Sequence, residues 1–146
     1  MTTREEIVAA ARSTLGTPYL HQGRVPGKAG GMDCVGLPVW VACELGLKPQ
    51  GFDMPGYQRN PDGHSLMRNI RREMAAELTI EETRPGDVIV VSFDRYPHHV
   101  GIAGDYRSGG LSLIHADGRV GKVVEHRLLL SERMRFVAAF SFPGVV

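Results

Sequence analysis

The chain has 146 residues, 17 of them basic and 16 acidic, for a formal net charge of +1. This length fits one domain over residues 1–146 with a core that needs neither metal nor disulfide, and the near-neutral charge argues against nucleic acid or an anionic membrane as partner. Because the longest apolar run, Val88 to Val91, is far shorter than the ~20 residues of a membrane helix, no membrane insertion is expected. The acidic start, Glu5 and Glu6, is unlike a secretory signal, so we expect a soluble protein made in the cytoplasm without a signal peptide.

The first predicted element is a helix. Thr3-Arg4-Glu5-Glu6 fits a capping box, and the pattern ends at Gly16, with Pro18 beyond it. A loop rich in glycine and proline follows over residues 17–32. Tyr19 in this loop either packs against the core or lends its hydroxyl to a site, and the sequence does not decide between these. In the first helix, before this loop, the apolar side is predicted to carry Ile7, Val8, Ala11 and Leu15.

The loop leads to Asp33 and Cys34, which precede an apolar helical pattern from Pro38 to Leu45. Asp33 is a good N-cap, and Cys34 would then be the first helical residue, where the helix dipole lowers a thiol pKa that starts near ~8.5. This predicts a reactive nucleophile, although a cysteine can also simply fill the core. Cys43 lies nine residues later, on the opposite helix face and more than ~10 Å away, so no disulfide between the two is expected.

The second half of the chain changes from helices to strands. Leu66, Ile70, Met74 and Leu78 recur every four residues and predict a helix. Short segments rich in Val, Ile and Phe then follow, separated by turns with no room for helices. The predicted strands are 87–93, 99–103, 111–116, 122–126 and 136–140. This order predicts an α+β domain with N-terminal helices packed on an antiparallel sheet of about five strands.

Two of these strands carry histidines. A hairpin symmetric about Arg107 would place Ala103 opposite Leu111 and His99 opposite His115, close enough for their side chains to interact. Any even shift of this register keeps both histidines on one face, and an odd shift separates them. His98 would point to the other face, so we predict that His99→Ala removes activity while His98→Ala leaves much of it.

A cysteine, a histidine and a second polar group form the general layout of nucleophilic catalysis. Cys34 would attack a carbonyl, His99 would move the proton, and His115 would hold the imidazole of His99 in the useful tautomer. The backbone N–H of Cys34 is the natural first donor to the oxyanion, and Tyr19 is a candidate second. Cys and His residues could instead hold zinc, but there is no CxxC or HxxxH pair, so no metal or other cofactor is predicted. The remaining histidines, His21, His64 and His126, are interpreted as ordinary surface or loop residues.

Five segments, in this order, resemble the NlpC-type cysteine peptidases, papain-like enzymes of bacterial and phage cell-wall metabolism. They correspond to the family's Gly-x-Pro-Tyr, Asp-Cys-Ser-Gly-Leu, Pro-Gly-Asp, His-Val-Gly-Ile and Ile-His-Ala motifs. In this chain they read Gly16-Thr17-Pro18-Tyr19, Asp33-Cys34-Val35-Gly36-Leu37, Arg84-Pro85-Gly86-Asp87-Val88, His99-Val100-Gly101-Ile102 and Ile114-His115-Ala116.

The resemblance implies a papain-like fold with catalytic Cys34, His99 and His115, and cleavage of peptidoglycan stem peptides at the bond between γ-D-glutamate and a diamino acid. It also implies that Asp33 binds the amino end of the substrate, unless Asp33 only caps the helix. The short chain looks most like members encoded with phage tails and gene transfer agents. Such a member would ride on a virion or gene-transfer-agent tail, dock to a tail hub protein and act in the cell wall or periplasm.

Two departures from the family pattern bear on specificity. Val35 stands where the family often has a serine that could contact substrate, and His21-Gln22-Gly23 replaces the usual tryptophan-glycine-glycine in the wall of the substrate pocket. Two alternatives remain open: an acyltransferase or amidase on the same scaffold, and a structural tail component whose site is shielded. The polar residues near the nucleophile favour a peptide over a lipid. They are Gln22, Arg24, Lys28 and Asp33.

Overall fold

The computed structural model describes residues 1–54, 65–93 and 96–146, and for 96–98 it describes the backbone alone. It contains three helices in this part of the chain: α1 (Arg4–Arg12), α2 (Gly36–Glu44) and α3 (Ser65–Glu73). The strands are β1 (Arg24–Val25), β2 (Gly31–Met32), β3 (Glu77–Leu78), β4 (Val88–Phe93), β5 (Tyr96–Asp105), β6 (Leu111–Asp117), β7 (Lys122–Arg127) and β8 (Met134–Phe140). None of the helices in these ranges is long and apolar enough to cross a membrane.

The main sheet has the strand order β3-β8-β4-β5-β6-β7, and every neighbouring pair is antiparallel. β4 to β7 form a meander, whereas β8 crosses back to pair with β4 instead of β7. A separate pair, β1 and β2, braces the loop before Cys34. The predicted α+β class with helices on an antiparallel sheet is confirmed, although the sheet has a sixth strand of two residues, β3.

The main core lies between the helices and one face of the sheet. Side chains alternate along β4: Val88 and Val90 join the helical residues, whereas Ile89 and Val91 join a smaller cluster. This alternation follows from the two-residue repeat of a strand. The main core thus fixes helix α2, and with it the segment that carries Cys34, against the middle of the sheet.

Helix α1 begins with the predicted capping box. The Thr3 hydroxyl accepts from the Glu6 N–H at 3.2 Å, and the Glu6 carboxylate accepts from the Thr3 N–H at 2.8 Å. The helix ends at Arg12, however, and Leu15 lies in the turn beyond it with 44% of its surface exposed. Its predicted place on the buried side is therefore wrong, because the chain leaves the helix one turn earlier than the apolar pattern indicates.

Helices α2 and α3 are confirmed with different ends. Helix α2 begins at Gly36, so Cys34 precedes the helix and is not its first residue. Helix α3 ends at Glu73, and Leu78 belongs to β3 instead. A four-residue apolar spacing cannot separate a long helix from a helix followed by a half-buried strand, which explains the second error.

The Pro-Gly-Asp motif holds α1 against the sheet. Asp87 is 1% exposed, and its carboxylate accepts from Arg4 Nη1 at 2.7 Å and from the Arg84 N–H at 2.8 Å. Arg4 Nη1 also donates to the Pro85 carbonyl at 3.0 Å. Gly86 has φ +93, and its backbone packs on Arg4, so this position favours glycine for both reasons.

We expect Asp87→Ala to lower the free energy of unfolding by about 3 kcal/mol, because it leaves the mostly buried Arg4 guanidinium without its carboxylate. Asp105→Ala is the matched control, since Asp105 also pairs with an arginine of α1, Arg12, at 3.1 Å but is 71% exposed. The control should cost less than about 0.5 kcal/mol. Urea unfolding at pH 7 measures both, and equal losses would contradict the structural role assigned to Asp87.

Candidate active site

The carboxylate of Asp33 organises the backbone around Cys34. Its Oδ1 accepts from the Gly36 N–H at 2.8 Å and from Arg24 Nη1 at 3.0 Å, and its Oδ2 accepts from the Gln22 N–H at 2.7 Å. Asp33 is 1% exposed. It therefore caps the first turn of α2 from outside the helix and fixes the loop that carries Gln22, although the N-cap position itself is Val35 and not Asp33 as predicted. A direct contact with substrate stays a prediction.

That loop contains a non-glycine residue with positive φ, Gln22 at φ +60. The motif that this segment resembles has glycine here, a residue that adopts the left-handed conformation without the steric cost that Gln22 carries. The loop also packs closely on α2, because a Cβ at Gly36 would overlap the carbonyl oxygen of Gly23. Capping by Asp33 and this close approach together hold Gln22 in its strained conformation.

Cys34 is half-buried and is not in a disulfide. The backbone N–H groups of Val100, Cys34 and Val35 interact with its thiol and lower its pKa. Burial is the stronger effect and, with the negative charge of Asp33, raises the pKa of the Cys34 thiol to about 12. The predicted lowering of this pKa by the helix dipole is therefore wrong: the sulfur lies one residue before the helix N-cap, Val35, and beside a carboxylate.

The predicted contact between two histidines is present. His99 Nε2 lies 2.6 Å from His115 Nδ1, and the two rings meet edge to face with centroids 4.8 Å apart. The backbone N–H of Val100, the residue after His99 on β5, interacts with the Cys34 thiol, so His99 is one residue away from a contact with the cysteine. The charge of Asp33 also acts on His99, as expected for neighbouring groups.

The register of β5 and β6 differs from the prediction by two residues. Ala103 lies opposite Leu113 instead of Leu111, and Asp105 lies opposite Leu111. The shift is even, so both histidines stay on one face. Gly101 of the His-Val-Gly-Ile motif permits the approach of β6, because a Cβ there would lie 2.8 Å from the Ile114 carbonyl oxygen and 3.1 Å from the Cβ of His115.

The structure adds a third histidine that the sequence analysis interpreted as an ordinary residue. His126 Nε2 lies 2.7 Å from His115 Nε2, and His126 Nδ1 lies 2.9 Å from the Arg127 carbonyl oxygen. The β6–β7 ladder places Val124 opposite His115, so His126 is two residues further along the same face. The sequence offered one signal for this: if Asp117 and Lys122 face each other at the end of the hairpin, His126 lies two residues from the position opposite His115 and therefore on the same face. His21 also lies near the site, with Nδ1 3.9 Å from Asp33 Oδ2, whereas His64 and the side chain of His98 fall outside the described part of the chain.

Two other candidate residues are placed around the nucleophile. Tyr19 forms a backbone bridge with Met32, and its ring lies against Gly118, just beyond β6. It packs partly in the core, and its role as an oxyanion donor stays a prediction. The Val35 side chain is 1% exposed within the core, so any contact with substrate would come from its backbone. A serine at this position would offer a side-chain hydroxyl to the substrate, whereas Val35 offers only its backbone groups.

A charged pair flanks the histidines. Burial works to raise the pKa of Asp117, but hydrogen bonds and charge from Arg119 outweigh it and hold that pKa below its usual range. The Arg119 guanidinium also lies 4.2 Å from the ring centroid of Phe93, which packs on His99 at 5.2 Å. Arg119 is 65% exposed and so presents a positive charge to solvent beside His99.

The two inner histidines are neutral at neutral pH. Burial lowers the pKa of His99 to about 4, although the charge of Asp117 opposes it. Burial likewise lowers the pKa of His115, which is fully buried, to about 3. The resting site therefore holds a neutral thiol beside neutral imidazoles. Within residues 1–54, 65–93 and 96–146, no group of three or more His, Cys, Asp or Glu side chains is arranged to hold a metal ion.

The lowered pKa of His115 makes the fold sensitive to acid. Between pH 6.5 and its folded pKa of about 3, the unfolded chain binds a proton that the folded chain does not. The free energy of unfolding therefore falls as the pH falls, by roughly 3 kcal/mol between pH 6.5 and 4 from this residue alone. Urea unfolding across this range should show a flatter dependence for His115→Gln than for the wild type, and parallel curves would contradict the burial of a neutral His115.

The chain is similar to known proteins at the level of structure. No protein-family model and no curated protein sequence matches the chain at a significant level. Among solved structures, the NlpC/p60 domain of the peptidoglycan hydrolase SagA is 24% identical with a TM-score of 0.63, and the match covers 96% of this chain and 99% of that one. The peptidoglycan hydrolase RipB from Mycobacterium tuberculosis is 20% identical with a TM-score of 0.60, over 95% of this chain and 64% of that one.

A third similar structure is named as an amidase. The N-acetylmuramoyl-L-alanine amidase from Bacteroides uniformis is 13% identical with a TM-score of 0.60, over 94% of this chain and 98% of that one. These matches agree with the architecture described above, helices packed on a largely antiparallel sheet. The chain therefore has the papain-like α+β fold of NlpC/p60 domains.

Proposed function

We propose that this chain is a cysteine hydrolase of peptidoglycan stem peptides, with Cys34 as nucleophile, His99 as base and His115 as the residue that orients it. One observation carries the proposal: His99 Nε2 contacts His115 Nδ1 at 2.6 Å. His99 directly precedes Val100, whose backbone N–H interacts with the Cys34 thiol. The fold shared with proteins named as peptidoglycan hydrolases supports the choice of substrate.

The chemistry follows from the neutral resting state. As Cys34 attacks the carbonyl carbon, its thiol proton passes to His99 and a carbon–sulfur bond forms. The backbone N–H of Cys34 is available to the oxyanion, with Tyr19 as a second candidate. The carbon–nitrogen bond then breaks, and the leaving amine takes the proton from His99. Water, with its proton accepted by His99, finally hydrolyses the thioester and restores the thiol.

The burial of Cys34 and His99 agrees with a mechanism in which their charges separate only during attack. A thiolate and an imidazolium formed in advance would both have to be desolvated. During attack, the negative charge moves to the carbonyl oxygen, and the imidazolium forms near the carboxylate of Asp117, whose charge favours protonation of His99. The site is thus arranged to hold charge in the transition state more than at rest.

The bond we propose joins γ-D-glutamate to a diamino acid. Charged groups around the nucleophile support a polar peptide over the lipid of an acyltransferase: Arg119 is exposed, and Arg24 lies between Asp33 and Asp53 at 3.0 Å and 2.7 Å. The similarity to a protein named as an N-acetylmuramoyl-L-alanine amidase supports a second candidate, cleavage of the amide that joins the stem peptide to the sugar. The masses of the products distinguish the two bonds.

The proposal extends to the setting of the enzyme. The sequence resemblance supports action in the cell wall or periplasm from a phage tail or gene-transfer-agent tail, with a tail hub protein as docking partner. Co-purification of this chain with a tail hub protein tests this part. Failure to bind would remove the tail assignment and leave the hydrolase proposal standing.

The decisive experiment is mass spectrometry of purified peptidoglycan and soluble stem peptides after incubation with the protein. We would use Cys43→Ser, so that Cys34 is the one remaining thiol of the chain, and block it reversibly with methyl methanethiosulfonate. Unblocked protein should release new fragments, blocked protein should not, and dithiothreitol should restore release. If the unblocked protein releases nothing, the peptidoglycan assignment fails; if Cys34 also resists the reagent, the site is shielded and a structural tail component is favoured.

A further inference from the structure

Three imidazoles run in file across three adjacent strands. His99 on β5, His115 on β6 and His126 on β7 have successive ring centroids 4.8 Å apart and interplanar angles of 82° and 80°. Each ring joins the next through nitrogen atoms, at 2.6 Å and 2.7 Å. The file starts at His99, one residue before the Val100 backbone N–H that interacts with the Cys34 thiol, and ends at the exposed side chain of His126. It is therefore a continuous polar connection from the site to solvent.

The far end of the file fixes the position of a proton. His126 Nδ1 lies 2.9 Å from the Arg127 carbonyl oxygen, and a carbonyl oxygen can only accept. His126 must then carry its proton on Nδ1 to make this bond. Since a neutral imidazole has one N–H, His126 Nε2 is left as an acceptor.

The same rule propagates along the file. An acceptor at His126 Nε2 requires the proton of His115 on Nε2, which leaves His115 Nδ1 as an acceptor. That atom in turn requires the proton of His99 on Nε2, so Nδ1 of His99 keeps its lone pair. Nδ1 is the ring nitrogen nearer the backbone of His99, and the next residue on that backbone, Val100, faces the Cys34 sulfur.

We propose that His126 is a positioning residue that, anchored on the Arg127 carbonyl, sets the tautomers of His115 and His99 and so keeps the base ready to accept the proton of Cys34. The proposal rests on the proposed use of Cys34 and His99 as nucleophile and base. Without an acceptor at residue 126, His115 can place its proton on Nδ1. His99 must then accept from His115 at Nε2 and carry its own proton on Nδ1, where it cannot receive another.

Other charged groups near the file do not supply this acceptor. Glu125, the neighbour of His126 on β7, accepts from Arg12 Nη2 at 2.8 Å and from the Ser112 hydroxyl at 2.6 Å. On the β6 side, Asp117 is held by Arg119, and on the helix side the Asp33 carboxylate is engaged by backbone and Arg24. Phe93 of β4, which packs on His99, offers no polar atom. Among the described side chains, the acceptor for His115 Nε2 is therefore His126.

The test compares three variants in a Cys43→Ser background. His126→Leu removes the acceptor, His126→Gln offers an amide oxygen in its place, and Lys122→Gln changes an exposed side chain on the same strand as the control. Two-bond ¹H–¹⁵N spectra near pH 7.5 report the tautomer of each histidine. Wild type should show Nδ1–H at His126 and Nε2–H at His115 and His99.

His126→Leu should mix the tautomers of His115 and His99 and lower kcat by about 10- to 100-fold with KM little changed. His126→Gln should recover most of both effects, and Lys122→Gln should show neither. A different wild-type tautomer, or unchanged spectra and kcat in His126→Leu, overturns the proposal. The spectra and the rate of Cys34 alkylation at pH 7.5, expected to fall in His126→Leu, need no peptidoglycan. If the substrate assignment fails, they still decide the role of His126.

Discussion

Cys34→Ser is expected to slow the release of stem-peptide fragments by at least about a thousandfold. Serine has nearly the volume of cysteine, so the half-buried site should keep its shape. Its hydroxyl, however, is a far weaker acid than a thiol. Burial already raises the pKa of the thiol to about 12 and lowers that of His99 to about 4. His99 is therefore already a weak base for the thiol proton and would be still less able to remove the proton of a serine hydroxyl.

The chain supplies its own control in Cys43, the second cysteine. Its sulfur lies 3.6 Å from the carbonyl oxygens of Pro49 and Phe52, at the far end of α2 from Cys34. Cys43→Ser should keep near wild-type activity. Fragment release is followed by chromatography of soluble stem peptides, with urea unfolding to check that both variants are folded. Wild-type rates in folded Cys34→Ser would remove Cys34 as the nucleophile.

His99→Ala is expected to lower kcat by about a thousandfold with little change in KM, because a general base acts in the transition state and contributes little to substrate binding. The pH dependence of kcat/KM gives a sharper test. Burial lowers the pKa of His99 to about 4, and only the neutral imidazole accepts a proton. Wild-type activity should therefore persist below pH 6.5 and be lost as the pH falls toward 4.

The same assays separate His99 from its neighbours in sequence and space. His98→Ala should leave much of the activity, as the strand pattern in the sequence predicts. His115→Gln should retain measurable activity with a lower kcat, because His99 remains as base but loses its fixed partner at 2.6 Å. An acid limb near pH 6.5 in the wild type, or full activity in His99→Ala, would contradict the assignment of His99.

The sequence predicted the contact between His99 and His115 because strand periodicity is robust to an even register shift. It could not predict the register itself, because an even shift leaves the same side chains on each face of the sheet. Nor could it predict that β8 would cross to pair with β4, since that pairing depends on contacts distant in sequence. The fold class was nevertheless accessible, because the order of helices and strands limits the possible layers.

The electrostatics of the site were the least predictable part. A cysteine before a helix suggests a lowered pKa, but the outcome depends on how much water the folded protein leaves around the sulfur. Burial and Asp33 reverse the expected direction. His126 was missed for a related reason: taken alone, an exposed histidine on an edge strand has no evident partner, and its meaning depends on the buried His115 beside it.

The proposed nucleophile and the histidines come from different layers of the fold. Cys34 is fixed by the helical layer through the Asp33 cap, whereas the histidine file belongs entirely to the sheet. A molten globule that kept its helices and strands but loosened their packing would therefore lose the site while retaining most of its far-UV circular dichroism. The proposed hydrolysis would thus report on tertiary packing: under conditions that loosen the packing but keep the helices and strands, activity should disappear before secondary structure does.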